Sequence, residues 1–161
     1  MTTTTVRVLD EADWALYRRV RLAALADAPE AFGSTLARES AFTDVRWRER
    51  LAGGGVFLAE GPEGPRGLAG VLRHGPEGAG HLTGHLVSMW VAPEARGTGT
   101  ADQLVTFALD RASAWGLRAM SLDVATGNVA AERLYARHGF VRTDAEAGVE
   151  GGFVMEVRLR G

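Results

Sequence analysis

Apolar residues recur at two spacings along this chain, and each spacing predicts a different element. From residue 100 onward they fall three or four apart, which predicts an amphipathic helix of about four turns. The apolar positions of this helix are Ala101, Leu104, Val105, Ala108, Leu109, Ala112 and Trp115. Residues 128–138 repeat the helical spacing, whereas residues 119–125 and 153–159 read as strands. The second half of the chain therefore predicts helix, strand, helix and strand.

The first half predicts a strand, two helices and three antiparallel strands. Asp10 can cap a first helix that Pro29 ends, and residues 30–35 break the pattern before a second helix. Two copies of Gly-Pro-Glu-Gly suit type I turns between strands. The predicted segments are strand 6–9, a helix from residue 11, helix 44–51, strands 56–60, 67–74 and 85–91, and turns 61–64 and 75–78.

The order of these segments predicts an α/β fold. The strand–helix–strand run over residues 85–125 implies a right-handed crossover and therefore one parallel pair of strands. The meander before it is antiparallel, so we expect a mixed, mostly antiparallel sheet flanked by about four helices, with a further short strand near Val141. The 161 residues fit a single domain covering residues 1–161.

Composition and charge exclude several classes of protein. Hydrophobic residues make up 46% of the chain, which argues against disorder, and a net charge of −2 argues against nucleic-acid binding. No apolar run approaches the ~18 residues that span a membrane, and no secretory leader is expected, so we predict a cytoplasmic protein. The absence of cysteine excludes disulfides and thiolate nucleophiles.

Residues 90–101 read WVAPEARGTGTA and place two glycines and a cation immediately before a helix. The first turn of a helix leaves backbone N–H groups unpaired, and Gly97 and Gly99 let a ligand approach them closely. With Arg96 these groups form a candidate phosphate site. Neither a P-loop lysine nor a third Rossmann glycine is present, since Asp102 occupies that position. From the loop alone, a phosphate site and a plain glycine-rich connection stay equally open.

Two motifs resemble those of the GNAT N-acetyltransferase superfamily. The stretch VAPEARGTGTA matches the R-x-x-G-x-G/A loop through Arg96, Gly99 and Ala101. Residues 122–140, LDVATGNVAAERLYARHGF, resemble the next motif, in which a strand, an asparagine, a helix with Leu-Tyr and a Gly-Phe pair follow one another. The resemblance implies a sheet splayed into a V after its fourth strand, with acetyl-CoA lying in the V.

The resemblance also implies which residues bind acetyl-CoA. Backbone groups of the fourth strand would pair with the pantetheine arm, loop amides would meet the diphosphate, and an asparagine would bond the cofactor arm. The implied set is Met89, Trp90, Val91, Arg96, Gly97, Thr98, Gly99, Thr100, Ala101, Asp102, Asn128 and Tyr135. Asp102 departs from the basic or small residue common in the family, and we expect its side chain to point to solvent.

Direct attack of an amine on the bound thioester needs a base, an acid and no enzyme nucleophile, which agrees with the absence of cysteine. Tyr135 is the candidate general acid, although a tyrosine on an apolar helix face can also be a core residue. Asp123, which shares a strand face with Ser121, is the candidate base, and the alternative is an ion pair with an arginine. His85 and Ser88 on the preceding strand are further candidates for proton transfer.

The acceptor is expected to be a primary amine of a small molecule or a peptide. The resemblance places its recognition in the first two helices and their connection, with Phe32, Ser34 and Glu39 as candidates among the acids and aromatics there. A solvated acidic surface is the alternative. The histidines lack zinc spacing, so no metal is expected. The resemblance also allows a homodimer, and a non-catalytic CoA-binding regulatory module on the same fold is the alternative function.

Overall fold

The computed structural model describes residues 3–74, 82–148 and 151–159. Within these ranges the chain forms seven strands and five α-helices, joined by turns and short 3₁₀ segments. In chain order they are β1 (Thr5–Val8), α1 (Trp14–Asp27), α2 (Leu36–Ser40), α3 (Asp44–Glu49), β2 (Val56–Gly61), β3 (Gly64–His74), β4 (Thr83–Val91), α4 (Thr100–Ala114), β5 (Ala119–Ala125), α5 (Val129–Arg137), β6 (Val141–Arg142) and β7 (Gly152–Arg158).

The predicted strands and the two long helices of the second half are confirmed, and two details of the first half differ. A 3₁₀ turn capped by Asp10 precedes α1, so the α-helix begins at Trp14 rather than at residue 11. A short helix that was not predicted, α2, follows the predicted break at residues 30–35, and it starts where the Thr35 hydroxyl accepts a hydrogen bond from the Arg38 amide. The five residues of α2 are too few to show a helical period. The predicted turn at 75–78 lies outside the described residues.

The sheet is mixed and mostly antiparallel, as predicted. Its strands follow the order β1-β2-β3-β4-β5-β7-β6, and β4 and β5 pair in parallel. Among the residues that the structure describes, the β4–β5 ladder contains three residue pairs and ends at His85 opposite Ser121, although both strands continue. Beyond that point β5 stays paired with β7 along its whole length. The end of this ladder is the feature expected of a sheet that splays between its fourth and fifth strands.

The chain divides into two compact units. The first contains Met1–Gly70 and Ser88–Thr100, and the second contains Val71–Val87 and Ala101–Gly161. The core of the first unit is built around Trp47, which is fully buried and packs edge-on against Tyr17, with ring centroids 5.5 Å apart. Aromatic and aliphatic burial of this kind orders α1 and α3 on the strands of the same unit.

The second unit has buried apolar residues on α4, α5, β5 and β7. Strand β5 alternates as predicted, so Met120, Leu122 and Val124 are buried and the residues between them are partly exposed. At Gly84 an added Cβ would lie 3.0 Å from Leu117 Cδ1 and 3.0 Å from Met120 Sδ. Glycine therefore allows the close approach of β4 that sets the neighbouring residue, His85, beside β5.

Candidate active site

The glycine-rich loop ends in the long helix α4, as the sequence predicts. Gly97 and Gly99 have φ values of 75° and 86°, a left-handed conformation that glycine adopts without steric cost. In the described part of the chain, no backbone carbonyl accepts a hydrogen bond from the amides of Gly97, Thr98 or Gly99. An added Cβ on either glycine would meet no atom within 4 Å, so the backbone there is openly accessible. The loop therefore offers unpaired N–H donors to an anion.

Thr98 fixes the conformation of this loop through its hydroxyl. Thr98 Oγ1 donates to the Ala95 carbonyl and lies 3.0 Å from Thr100 Oγ1. Thr100 itself is only 1% exposed. Arg66 of β3 donates from Nη2 to Thr98 Oγ1 at 3.0 Å. The loop is thereby held in shape by side chains, while its amide donors stay unused.

Arg96 makes contacts other than those the motif implies. Its NH2 group forms an ion pair with Asp27 at the end of α1, and its Nε donates to the Val91 carbonyl at 3.1 Å. Trp90 Nε1 donates to the same Asp27 oxygen at 2.9 Å. Hydrogen bonding from Trp90 and then from Arg96 lowers the pKa of Asp27 despite some desolvation. The Val91 carbonyl, one of the backbone groups expected to pair with the pantetheine arm, thus already accepts one hydrogen bond.

The three predicted acceptor residues lie around one buried ion pair. Glu39 is 1% exposed, and its oxygens accept hydrogen bonds from Arg21 Nε and NH2 at 2.9 and 3.0 Å. The Arg21 guanidinium also lies over the ring of Phe32, 4.7 Å from its centroid. Ser34, which is partly buried, hydrogen bonds with Glu39. The acid predicted to attract an amine is therefore already neutralised by an arginine, which argues against its direct contact with an acceptor.

This ion pair extends to β4 and to α3. Arg21 NH1 donates to Ser88 Oγ at 3.0 Å, and Ser88 has a φ of 60°, a left-handed conformation unusual for a residue other than glycine. Arg50 NH1 donates to Glu39 Oε1 at 2.8 Å. Desolvation raises the pKa of Glu39, but hydrogen bonds from Arg21, Arg50 and Ser34 outweigh it and bring the pKa to about 2. Glu39 therefore stays ionised at neutral pH.

In the second unit, His85 joins Ser121 and Asp123 at the end of the β4–β5 ladder. His85 Nδ1 lies 2.8 Å from Ser121 Oγ, and His85 Nε2 lies 3.1 Å from Asp123 Oδ2. The other carboxylate oxygen of Asp123 accepts a hydrogen bond from the Gly148 amide at 3.2 Å. Both His85 and Asp123 have about a fifth of their side-chain surface exposed. The alternative expected for Asp123, pairing with an arginine, is not what the structure shows.

Tyr135 lies on the buried face of α5 and is 7% exposed. Its ring packs edge-on against Phe140, with centroids 5.7 Å apart. Burial raises the pKa of Tyr135 to about 12, so the phenol keeps its proton at neutral pH. The same residue thus serves the core and carries a proton that a leaving group could take.

Asn128 and Asp102 are both held by contacts with α5. Asn128 is the N-cap of α5, and its Oδ1 accepts a hydrogen bond from the Ala131 amide at 3.2 Å, so the cap uses the oxygen and not the side-chain NH2. Asp102, whose side chain was expected to point to solvent, keeps 41% of its side-chain surface exposed, but it also lies 2.8 Å from His138 Nε2 and forms an ion pair with Arg137 at 3.2 Å. Hydrogen bonding with His138, aided by Arg137, lowers the pKa of Asp102.

The sequence did not predict three residues as members of the site that make these contacts, namely Arg21, Arg66 and Ser121. Ser121 could have been selected, because strand alternation places it on the same face as Asp123. Arg21 and Arg66 gave no signal, since their partners lie 18 to 67 residues away in the chain. In residues 3–74, 82–148 and 151–159, no cluster of three His, Cys, Asp or Glu side chains could hold a metal ion, and no helix is long and apolar enough to cross a membrane.

Comparison with protein families gives a match over most of the chain. A family model described as acetyltransferase (GNAT) family matches residues 8–140. A curated relative, mycothiol acetyltransferase from Renibacterium salmoninarum, is 28% identical over 137 residues. The match covers 85% of this chain but 39% of that relative, so the chain spans well under half of the relative's length.

Solved structures share the fold over nearly the whole chain. An acetyltransferase of the GNAT family from Streptococcus pneumoniae superposes with a TM-score of 0.81 at 20% identity, covering 98% of this chain and 100% of that one. An acetyltransferase from Salmonella typhimurium, solved with its cofactor acetyl-CoA, gives a TM-score of 0.73 at 21% identity and covers 98% and 94%. At these identities the likeness establishes the fold, including the mixed, mostly antiparallel sheet.

Proposed function

The chain belongs to the acetyltransferase (GNAT) family, and from this premise we propose that it transfers the acetyl group of acetyl-CoA to a primary amine. The acceptor would be a small molecule or a peptide amine that attacks directly while both substrates are bound. The observation that carries the proposal is the loop at 97–99, whose amides are unpaired among the described residues. We propose the cytoplasm as the place of this reaction.

The residues present fit the diphosphate of acetyl-CoA. The open amides of Gly97, Thr98 and Gly99 precede the N-terminus of a 15-residue helix, whose dipole favours an anion. When bound, acetyl-CoA supplies an acetyl group activated as a thioester. The backbone of Met89 and Trp90 and the side-chain NH2 of Asn128 are proposed to hold its pantetheine arm, as the family resemblance implies. In this proposal Arg96 orients the end of β4 through Val91 rather than standing free beside the ligand.

His85 and Asp123 are the proposed base of this reaction. An ammonium acceptor must lose a proton before it can attack, and a carboxylate bonded to an imidazole provides a route for that proton. Asp123 is held by the Gly148 amide on one oxygen and faces His85 with the other, which fixes the direction of the pair. The His85–Asp123 pair lies at the end of the β4–β5 ladder, where the backbone pairing of these two strands stops.

Tyr135 is the proposed acid. Its pKa of about 12 keeps the phenolic proton in place across the working pH range. A phenol of such a high pKa gives up its proton to a thiolate only when the two are held together, so the rigid packing against Phe140 supports the role by fixing the ring. Tyr135→Phe retains this packing and removes only the hydroxyl.

The test combines turnover and binding. Free thiol released from acetyl-CoA is measured across a panel of small amines, amino acids, aminoglycosides and peptides, and acetyl-CoA binding is measured by calorimetry. We expect Tyr135→Phe to lower kcat more than tenfold and to leave the Kd for acetyl-CoA within about twofold. Unchanged kcat would remove the acid role. Binding without thiol release for any amine would instead favour the regulatory module, and no binding at millimolar acetyl-CoA would refute both functions.

A further inference from the structure

Arg66 is a half-buried arginine of β3 whose side chain reaches the glycine-rich loop. Its NH2 donates to Thr98 Oγ1 at 3.0 Å, and its backbone carbonyl accepts a hydrogen bond from the Ala92 amide at 2.8 Å. Its Nε is enclosed and has no hydrogen-bond partner among the residues that the structure describes. Arg66 is therefore held at the end of β4 by its main chain and at the glycine-rich loop by one side-chain donor.

The charge of Arg66 is not compensated by an acid. In the described ranges no carboxylate oxygen lies within the 4.0 Å ion-pair distance of its guanidinium, whereas Arg96 in the same unit is paired with Asp27. The two cations beside the loop therefore differ: Arg96 forms an ion pair with a carboxylate, and Arg66 forms none in the described part of the chain. A half-buried guanidinium that no carboxylate neutralises is suited to hydrogen bonding with an anionic ligand at that place.

We propose that Arg66 is a cofactor-binding residue, and that its guanidinium supplies the positive charge for the diphosphate of acetyl-CoA. This inference rests on the proposed function. The loop amides at 97–99 and the unpaired guanidinium then act on one anion, the amides as aligned donors and Arg66 as the counter-charge. Thr98 is the link between them, because its hydroxyl accepts from Arg66 within the loop itself. Arg96, the motif arginine, keeps a positioning role at Val91 and Asp27.

The experiment compares a ligand with and without phosphates on matched variants. Calorimetry gives the Kd of acetyl-CoA and of acetyl-pantetheine, which lacks the diphosphate, for the unaltered chain, Arg66→Gln and Arg19→Gln. Arg19 is exposed in α1 and makes no ion pair in the described part of the chain, so it controls for the loss of one positive charge. We expect Arg66→Gln to weaken acetyl-CoA at least tenfold and to leave acetyl-pantetheine unchanged, and Arg19→Gln to alter neither.

Two further measurements keep the proposal testable if Arg66→Gln is poorly folded. Arg66→Lys keeps the charge and should lose less affinity than Arg66→Gln, although it cannot make a bidentate contact. For the unaltered chain, raising the salt concentration should weaken acetyl-CoA more than acetyl-pantetheine. Equal acetyl-CoA affinity in a folded Arg66→Gln, or equal affinity of the unaltered chain for both ligands, would overturn the inference. Failure of the unaltered chain to bind acetyl-CoA would instead refute the proposed function.

Discussion

The role that the sequence predicts for Glu39, contact with an acceptor, differs from the role of its buried carboxylate in the structure. Among exposed acids it would attract a cationic acceptor, but it is enclosed and bonded to Arg21, itself 5% exposed, and to Arg50. Arg21 in turn holds the hydroxyl of Ser88, whose left-handed backbone needs support from its surroundings. Glu39 therefore acts on β4 indirectly. It holds the Arg21 side chain, and Arg21 hydrogen bonds to Ser88 of β4.

Glu39→Gln tests this role through stability. The variant leaves the Arg21 charge enclosed with no carboxylate, so we expect it to lower the free energy of unfolding by about 3–5 kcal/mol at pH 7, measured by urea denaturation. Because the folded pKa of about 2 lies below the usual 4.5, the carboxylate stabilises the protein above pH 4.5, and this stability is lost as pH falls toward 2.

The pH dependence supplies the control for that prediction. The unaltered chain should lose on the order of 3 kcal/mol through the window from pH 4.5 to pH 2 because of this one group, and Glu39→Gln should lack that part of the decline. Arg21→Lys, which keeps a cation beside the carboxylate, should keep most of the pH dependence while losing the bond to Ser88. A pH profile of Glu39→Gln that parallels the unaltered chain would contradict the assignment.

At the scale of elements, α5 carries both a cap and a proposed catalytic group. Asn128 Oδ1 caps the first turn, and Tyr135 lies two turns further on the buried face. The cap and the proposed bond to acetyl-CoA use different atoms of the same amide, because the cap takes the oxygen. Substitutions that keep an oxygen but remove the NH2 can therefore separate the two roles.

Asn128→Asp should keep the cap and lose the cofactor bond. Aspartate caps as well as asparagine does and suits the positive end of the helix, so we expect an unfolding free energy within about 0.5 kcal/mol of the unaltered chain and a several-fold weaker affinity for acetyl-CoA. Asn128→Ala should lose about 1 kcal/mol of stability as well as affinity. Thermal denaturation and calorimetry provide the two measurements.

Thr43→Ala is the matched control for the loss of a cap. Thr43 Oγ1 accepts a hydrogen bond from the Arg46 amide at 3.2 Å at the start of α3, the same distance as in the cap of α5. The control should lose a similar amount of stability and keep its affinity for acetyl-CoA. If Asn128→Asp bound acetyl-CoA as the unaltered chain does, the side-chain NH2 would have no part in binding.

The elements that the sequence predicted are those with a strong period or a defined start. Helix α4 spans four turns of regular apolar spacing, and β5 alternates along its whole length, so local pattern was sufficient for both. Helix α2 has five residues, which is too short for a period to appear. Strand β6, with two residues, owes its existence to pairing with β7 and was expected only as a short strand near Val141.

The candidate site was predicted where it depends on neighbours in sequence and missed where it depends on distant partners. The conformation of Gly97 and Gly99 follows from the loop itself, and both have the left-handed backbone that glycine permits. The ion pair of Arg96 with Asp27 joins residues 69 apart, and nothing in either local segment indicates it. Long-range pairing decided which of the two arginines near the loop forms an ion pair with a carboxylate, and only the structure reveals such pairing.

At the scale of the whole molecule, the two compact units share two strands. The first unit takes β3 up to Gly70 and the second takes it from Val71, and β4 is divided in the same way between Val87 and Ser88. Because the backbone of each of these two strands runs from one unit into the other, loss of order in one part of the strand affects the next part. We therefore propose that residues 1–161 form one domain that unfolds in a single cooperative transition.

Calorimetry of two core variants tests this proposal. Leu58 of β2 in the first unit and Leu122 of β5 in the second are both buried to about the same extent, at 0% and 1% exposure. Changing either to alanine costs about 2–5 kcal/mol by leaving a cavity. In a single domain each variant lowers the temperature of the one transition, and the calorimetric enthalpy, about 110 kcal/mol near 60 °C for 161 residues, equals the van't Hoff enthalpy.

Acetyl-CoA provides the matching test with the ligand. A ligand that binds only the folded state at a hundred times its Kd adds about 2.7 kcal/mol of stability, which should raise the single transition by several degrees in the unaltered chain. Leu58→Ala and Leu122→Ala should be rescued by a similar amount, because neither residue belongs to the loop or the proton-transfer groups. Two resolved transitions, with Leu58→Ala lowering one and Leu122→Ala the other, would show that the units unfold separately and that the chain is not one domain.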